Sequence, residues 1–203
     1  MNTNVDSWHV LLPFLRYLKL HFDSNPIKSR MSYYRSITPI HYRCIIFEQF
    51  RKCAPALECL TLYWPDVKLL LEHSSSPWSF VRQLNIRLES CTNLPSASLI
   101  ERLPTNKAFP QLQYLSFSGR RFSLNPPQPL ATQILLCLDV LVSSSSKFII
   151  LHMNRCCGTH RSLPLTSRDI LLTLLTEGIR SRSEQYSSSK IIIDPNEEII
   201  IWL

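Results

Sequence analysis

Hydrophobic positions along this chain follow two rhythms that take turns. In "APALECLTLYWPD", residues 54–66, Pro55 is followed by Leu57, Leu60 and Leu62, giving P-x-L-x-x-L-x-L. The last two leucines stand two apart and fit one face of a short strand, because side chains alternate across a strand. The first, three residues earlier, fits the place where the chain turns into that strand. The spacing recurs as Leu15, Leu18 and Leu20, as Val81, Leu84 and Ile86, as Leu112, Leu115 and Phe117, and as Phe148, Leu151 and Met153. It predicts strands near 16–22, 58–63, 82–87, 113–118 and 148–153.

Between these strands the rhythm changes to threes and fours, the period of an amphipathic helix. Thr38-Pro39 opens one such stretch over Ile40, Cys44, Phe47 and Phe50. Pro65-Asp66 opens a short one over Val67, Leu70 and Leu71. Ser96 or Ser98 stands ahead of Leu99, Ile100 and Leu103. Residues 129–142 carry Leu130, Ile134, Leu138 and Leu141. In "TSRDILLTLLTEGIR", 166–180, Thr166 and Asp169 predict a capped start, Ile170, Leu171, Leu174 and Leu175 a buried face, and Gly178 with Arg180 a stop.

Strand then helix, five times over, predicts an α/β protein with parallel strands, since parallel neighbours need a returning segment. One domain is expected over 1–203. The closing "KIIIDPNEEIIIWL" predicts a β-hairpin over 190–203, its type I turn at Asp194-Pro195-Asn196-Glu197, placed to cover the open edge of the sheet. The core row is expected to hold Leu18, Leu20, Leu60, Leu62, Leu84, Ile86, Leu115, Phe117, Leu151 and Met153. Alternation then turns Tyr17, Lys19 and His21 to the other face, with Cys59, Thr61 and Tyr63 beside them. Gln83, Asn85 and Arg87 follow, then Tyr114, Ser116 and Ser118, and last His152 and Asn154. A row of tyrosines, amides and cations suits a protein partner, because Tyr and Arg are enriched among residues that dominate binding energy.

The recurring P-x-L-x-x-L-x-L strand followed by a helix resembles the leucine-rich repeat family. The likeness covers most of residues 12–155. Within that family the chain resembles the irregular repeats that follow an F-box in substrate receptors of cullin-type ubiquitin ligases. The triads begin at 15, 57, 81, 112 and 148, so the intervals are 42, 24, 31 and 36, against about 20–29 in regular repeats. No F-box pattern precedes the first repeat. "LPLTSRDILLTLL" at 163–175 has a faint F-box-like opening with the wrong internal spacing and reads as a helix. The resemblance implies an irregular solenoid with a C-terminal hairpin cap and a concave sheet face that receives a protein. It implies a ubiquitin ligase adaptor as a second partner only if an F-box lies upstream.

Charge and chemistry change this picture little. The chain carries 22 Lys and Arg against 15 Asp and Glu, a formal net charge of +7. That makes a basic nucleic-acid-binding protein the alternative function. The cations are scattered, however, and a phosphate-binding face needs them gathered. Tyr33-Tyr34 between Arg30 and Arg35 could stack on bases; local packing of the rings is the plainer reading. Only three glycines, Gly119, Gly158 and Gly178, occur. That argues against phosphate-cradling loops and nucleophile elbows, which need clustered glycines.

Seven cysteines, an odd number, with no basic start and long apolar core of a signal peptide, read as reduced thiols in a cytoplasmic or nuclear protein. No apolar run reaches the ~18 residues of a membrane span. His152, Cys156, Cys157 and His160 in "HMNRCCGTH" have zinc-ligand chemistry, yet no CxxC pair occurs and adjacent cysteines rarely share one tetrahedral ion. A Cys–His nucleophile pair, the basis of a hydrolase reading, has no anchoring motif. Glu197-Glu198 reads as a solvated pair beside a turn. Neither a cofactor nor a catalytic constellation is expected.

Overall fold

A computed structural model describes residues 12, 14–20, 40–73, 76–88, 95, 97–105, 108–119, 127–144, 150–154, 165–182, 189–193 and 198–203. The fold is α/β. Strands β1 (Tyr17–Lys19), β2 (Cys59–Tyr63), β3 (Gln83–Arg87), β4 (Tyr114–Ser118) and β5 (Ile150–Asn154) run parallel and pair in chain order. Helices α1 (Ile40–Cys53), α2 (Trp64–His73), α3 (Ala97–Thr105) and α4 (Pro127–Ser144) return the chain between them, and α5 (Leu165–Ser181) leads to the last two strands. Strands β6 (Lys190–Ile193) and β7 (Ile199–Trp202) are antiparallel. β7 pairs with β5, so the sheet order is β1-β2-β3-β4-β5-β7-β6. The turn expected at 194–197 lies outside the described residues.

The mixed leucine spacing now has a physical cause. The first residue of each described triad donates its N–H to the carbonyl three residues earlier: Leu15 to Leu12, Leu57 to Ala54, Val81 to Trp78 and Leu112 to Phe109. That tight turn aims the chain into the strand and buries Leu57, Val81 and Leu112, while Leu15 stays half-buried. The next carbonyl then accepts two N–H groups from the following unit. Arg16 O receives Glu58 and Cys59, Glu58 O receives Arg82 and Gln83, and Arg82 O receives Gln113 and Tyr114. The same local geometry is thus laid down again at each of the three steps from β1 to β4.

This keeps the strands in register. Leu18, Leu60, Leu84, Leu115 and Leu151 align as one row, continued by Ile201 and Ile191. Leu62, Ile86, Phe117, Met153, Ile199 and Ile193 form the next. Both rows face the helices, and the core joins them to Phe47 of α1, Val67 of α2, Ile100 of α3, Ile134 of α4 and Leu171 of α5. Leu18 and Leu20, expected to be buried, are only half-buried. They belong to the edge of the described sheet, where β1 offers three residues to a single neighbour.

Arginines join consecutive elements across the helix layer. Arg43 of α1 meets Asp66 of α2 at 2.8 Å, both side chains buried. Arg102 of α3 donates to the Leu71 carbonyl near the end of α2. Arg182 donates to Asp139 of α4 and to the Gly178 carbonyl of α5, and Arg168 donates to the Ile193 carbonyl on β6. Several of the scattered cations are therefore spent inside the fold.

Two helix-boundary expectations for α5 change. It begins at Leu165, so Thr166 lies inside the helix rather than ahead of it, and it runs on to Ser181 past Gly178. A Cβ on Gly178 would stand 2.3 Å from Leu135 Cδ1 of α4. The glycine thus marks a close approach of two helices, and Arg182 and the Ser181 hydroxyl satisfy its carbonyl.

Cys137 of α4 is 1% exposed, and burial pushes its thiol up to about 12. The unfolded thiol ionises near 9.0. The stability this group contributes is complete below pH 9 and is lost as pH rises from 9 toward 12, because only the unfolded chain then gains the charge. Urea titrations through that window should show the midpoint falling with pH, and falling less steeply in Cys137→Val. Equal slopes would remove the assignment.

Candidate functional site: the open face of the sheet

Opposite the helix layer the strands present a second set of rows. Tyr17, Cys59, Gln83, Tyr114 and Ile150 align, continued by Trp202 and Lys190. Lys19, Thr61, Asn85, Ser116 and His152 align, continued by Ile200 and Ile192. Tyr63, Arg87, Ser118 and Asn154 form the third. Twelve of the thirteen expected site residues therefore share one face. The side chain of Asn154 and the whole of His21 lie outside the described set.

The face is less open than alternation alone implies. Tyr17 is 70% exposed and Lys19 is exposed, but Thr61, Gln83, Asn85, Arg87, Tyr114, Ser118 and His152 are half-buried. Tyr63, Ser116 and Cys59 share this face and are nevertheless buried. Their neighbours cover them. Asn85 Nδ2 donates to Thr61 Oγ1 at 3.2 Å and lies 3.3 Å from Cys59 Sγ. The Arg87 guanidinium lies 5.9 Å from the centre of the Tyr63 ring, with Nη1 3.5 Å from the phenol oxygen. Ser116 sits between Asn85 and His152 in its row. Burial raises the Cys59 thiol above its ordinary range, although the Asn85 contact works against it.

A polar cluster joins β4, β5 and the start of β7. The Tyr114 hydroxyl and His152 Nδ1 are 2.5 Å apart, with the rings edge to face. His152 Nε2 is buried and lies 3.6 Å from Glu198 Oε2, beyond hydrogen-bond length but within reach of an ion pair once the imidazole is protonated. Burial, and then the Glu198 charge, raise the Tyr114 phenol against an opposing Ser116 hydrogen bond. A phenol held protonated is a donor and a poor nucleophile. The cluster can orient side chains and bind polar groups.

The sequence reading missed Glu198, whose side chain is 31% exposed and faces His152 rather than standing wholly in solvent. It also missed Ile200 and Trp202 on this face. The signal was present, because "IIIW" alternates with period two; what hid it was the assignment of the hairpin to a covering role alone.

Among the described residues no three His, Cys, Asp or Glu side chains gather as a metal site; Cys156, Cys157 and His160 lie outside that set, as do Tyr33 and Tyr34. Among the same residues no helix is long and apolar enough to cross a membrane. Searches against protein-family models, curated proteins and solved structures return no match to this chain.

Proposed function

We propose that the chain is a non-catalytic protein-interaction module, an irregular leucine-rich-repeat-like solenoid that receives a protein on its open sheet face. One observation carries the reading. The turn at the first triad residue and the doubly accepting carbonyl after it recur from unit to unit, so each unit stacks on the last in one register, as repeat architectures do. Such stacking aligns equivalent side chains into a continuous surface, and here that surface holds tyrosines, amides, hydroxyls and an arginine. The antiparallel pair β6–β7 has the position of a terminal cap. In its finer form the proposal makes the chain the substrate-recognition part of an F-box-type ubiquitin ligase receptor, with adaptor contact supplied by an F-box upstream. The nucleic-acid reading is weakened because Arg43, Arg102, Arg168 and Arg182 are engaged within the fold.

The test compares faces. Affinity capture from cells with the unaltered chain is set against Lys19→Glu with Arg87→Glu on the open face, and against Leu136→Glu with Ile170→Glu on the outside of the helices, where both side chains are exposed. Proteins lost with the first pair and kept with the second support the reading. Loss only with the helical pair moves the interaction surface to the helices.

A further inference from the structure

We propose that the β1–β3 half of the open face is the docking site for an acidic, extended segment of a protein partner, with Arg87 as its anchor. The inference rests on the protein-binding reading above and adds the chemistry of the partner.

The charge on this face is divided. Among the described residues its cations are Lys19 on β1, Arg87 on β3 and Lys190 on β6, and its carboxylate is Glu198. Glu198 faces His152 at the β5–β7 end, three strands from Arg87 in the sheet order. Lys19 and Arg87 therefore lie on a half of the face that holds no described anion. The other described acidic groups near this half stand beside cations of their own. Asp66 is buried against Arg43, and Glu58 lies beside Arg16 ahead of β2.

Arg87 is also set for one kind of ligand. Its guanidinium lies 5.9 Å from the centre of the Tyr63 ring, with one nitrogen 3.5 Å from the phenol oxygen. No carboxylate among the described residues pairs with it. Even a loose cation–π contact of this length, with a long hydrogen bond beside it, narrows the range of the side chain before anything binds, so less freedom is lost on binding. A planar guanidinium held this way still has N–H groups for a carboxylate, which it grips with two parallel hydrogen bonds. Half-burial strengthens such a pair by limiting solvent screening.

Spacing then sets the shape of the segment. Lys19 registers with Thr61 and Asn85, and Arg87 is two residues beyond Asn85. Strands about 4.8 Å apart and a rise of about 3.3 Å per residue put the Lys19 and Arg87 Cα atoms roughly 12 Å apart. In an extended chain, residues i and i+4 lie on one side about 13 Å apart. An extended segment with acidic side chains four apart can therefore reach both cations while lying over Thr61, Asn85 and Tyr63.

The experiment uses the whole 203-residue chain and a fluorescent twelve-residue oligoglutamate peptide as probe. The comparison ligands are a glutamine peptide of equal length, a singly phosphorylated serine peptide and a single-stranded oligonucleotide. Anisotropy titrations should show the glutamate peptide binding and the glutamine peptide not. Arg87→Ala should weaken binding about tenfold or more, the scale of a lost charge-assisted pair. Arg87→Lys should weaken it several-fold, since charge alone lacks the fork. Arg180→Ala, which removes the same charge from the exposed side of α5, should leave it unchanged. Equal weakening by Arg87→Ala and Arg180→Ala, or equal or tighter binding of the oligonucleotide, would mean unspecific attraction and overturn the proposal. Preferred binding of the phosphoserine peptide would overturn the choice of carboxylate. If the glutamate peptide fails to bind while the open-face pair still abolishes capture of cellular proteins, this inference falls and the broader reading stands. If that pair leaves capture unchanged as well, both fall.

Discussion

Asp66→Ala is expected to lower the unfolding free energy by about 3–5 kcal/mol, because it leaves the Arg43 guanidinium inside the protein without its counter-charge. Asp66 is 1% exposed and Arg43 is 8% exposed, so water cannot take over solvation of the charge. The loss has a second part. Asp66 sits in the first turn of α2, where a carboxylate also favours the positive end of the helix. Replacing both partners together, as Arg43→Met with Asp66→Leu, should recover most of the loss, since an apolar pair of similar volume needs no solvation. Denaturant titrations of the two proteins test this directly. A single variant as stable as the unaltered chain would show that the pair is not the contact that joins α1 to α2.

Phe117→Ala should cost about 3–5 kcal/mol, from lost burial and the cavity left behind. Phe117 is 1% exposed in β4, flanked in its row by Ile86 and Met153. A domain of this kind is stable by only about 5–15 kcal/mol, so the loss is a large share of the whole and should show as a clear drop in the denaturation midpoint. Leu18→Ala supplies the contrast. Leu18 shares a row with Leu60 yet is half-buried at the end of the described sheet. It should lose clearly less than Phe117→Ala or Leu60→Ala. Equal losses at Leu18 and Leu60 would mean that burial does not fall off toward β1.

Much of the fold was legible because two periodicities carry it. Leu60 and Leu62, Leu84 and Ile86, and Leu115 and Phe117 stand two apart in sequence and face the same core in space. The helices over Phe47, Val67, Ile100, Ile134 and Leu171 follow from spacings of three and four. Three kinds of information were not in the pattern. The position of a strand within the sheet was one, so Leu18 read like Leu60 although it lies on the edge strand of the described sheet. The reach of side chains along a face was another. Tyr63 and Ser116 are buried on the open side because Arg87, Asn85 and His152 lie around them, which alternation cannot express. The third was close approach between elements distant in sequence. Gly178 has the chemistry of a helix stop, but Leu135 needs the space a Cβ would fill. Of the candidate surface, the row of residues was readable, whereas the Arg87–Tyr63 contact and the Tyr114–His152–Glu198 cluster depend on register between strands.

The order of strands at the C-terminal end bears on how the molecule is made. From β2 through β5 each new strand emerging from the ribosome finds an earlier neighbour waiting beside it. β6 does not, since its strand neighbour is β7, the later of the two. Its isoleucines must stay unpaired, or wait in a hairpin, until Ile199–Trp202 has been synthesised and can settle against Ile150–Met153. A nascent chain halted before Ile199 would therefore leave two apolar strands unfinished rather than one. It would offer chaperones and proteases a larger target than the missing length suggests.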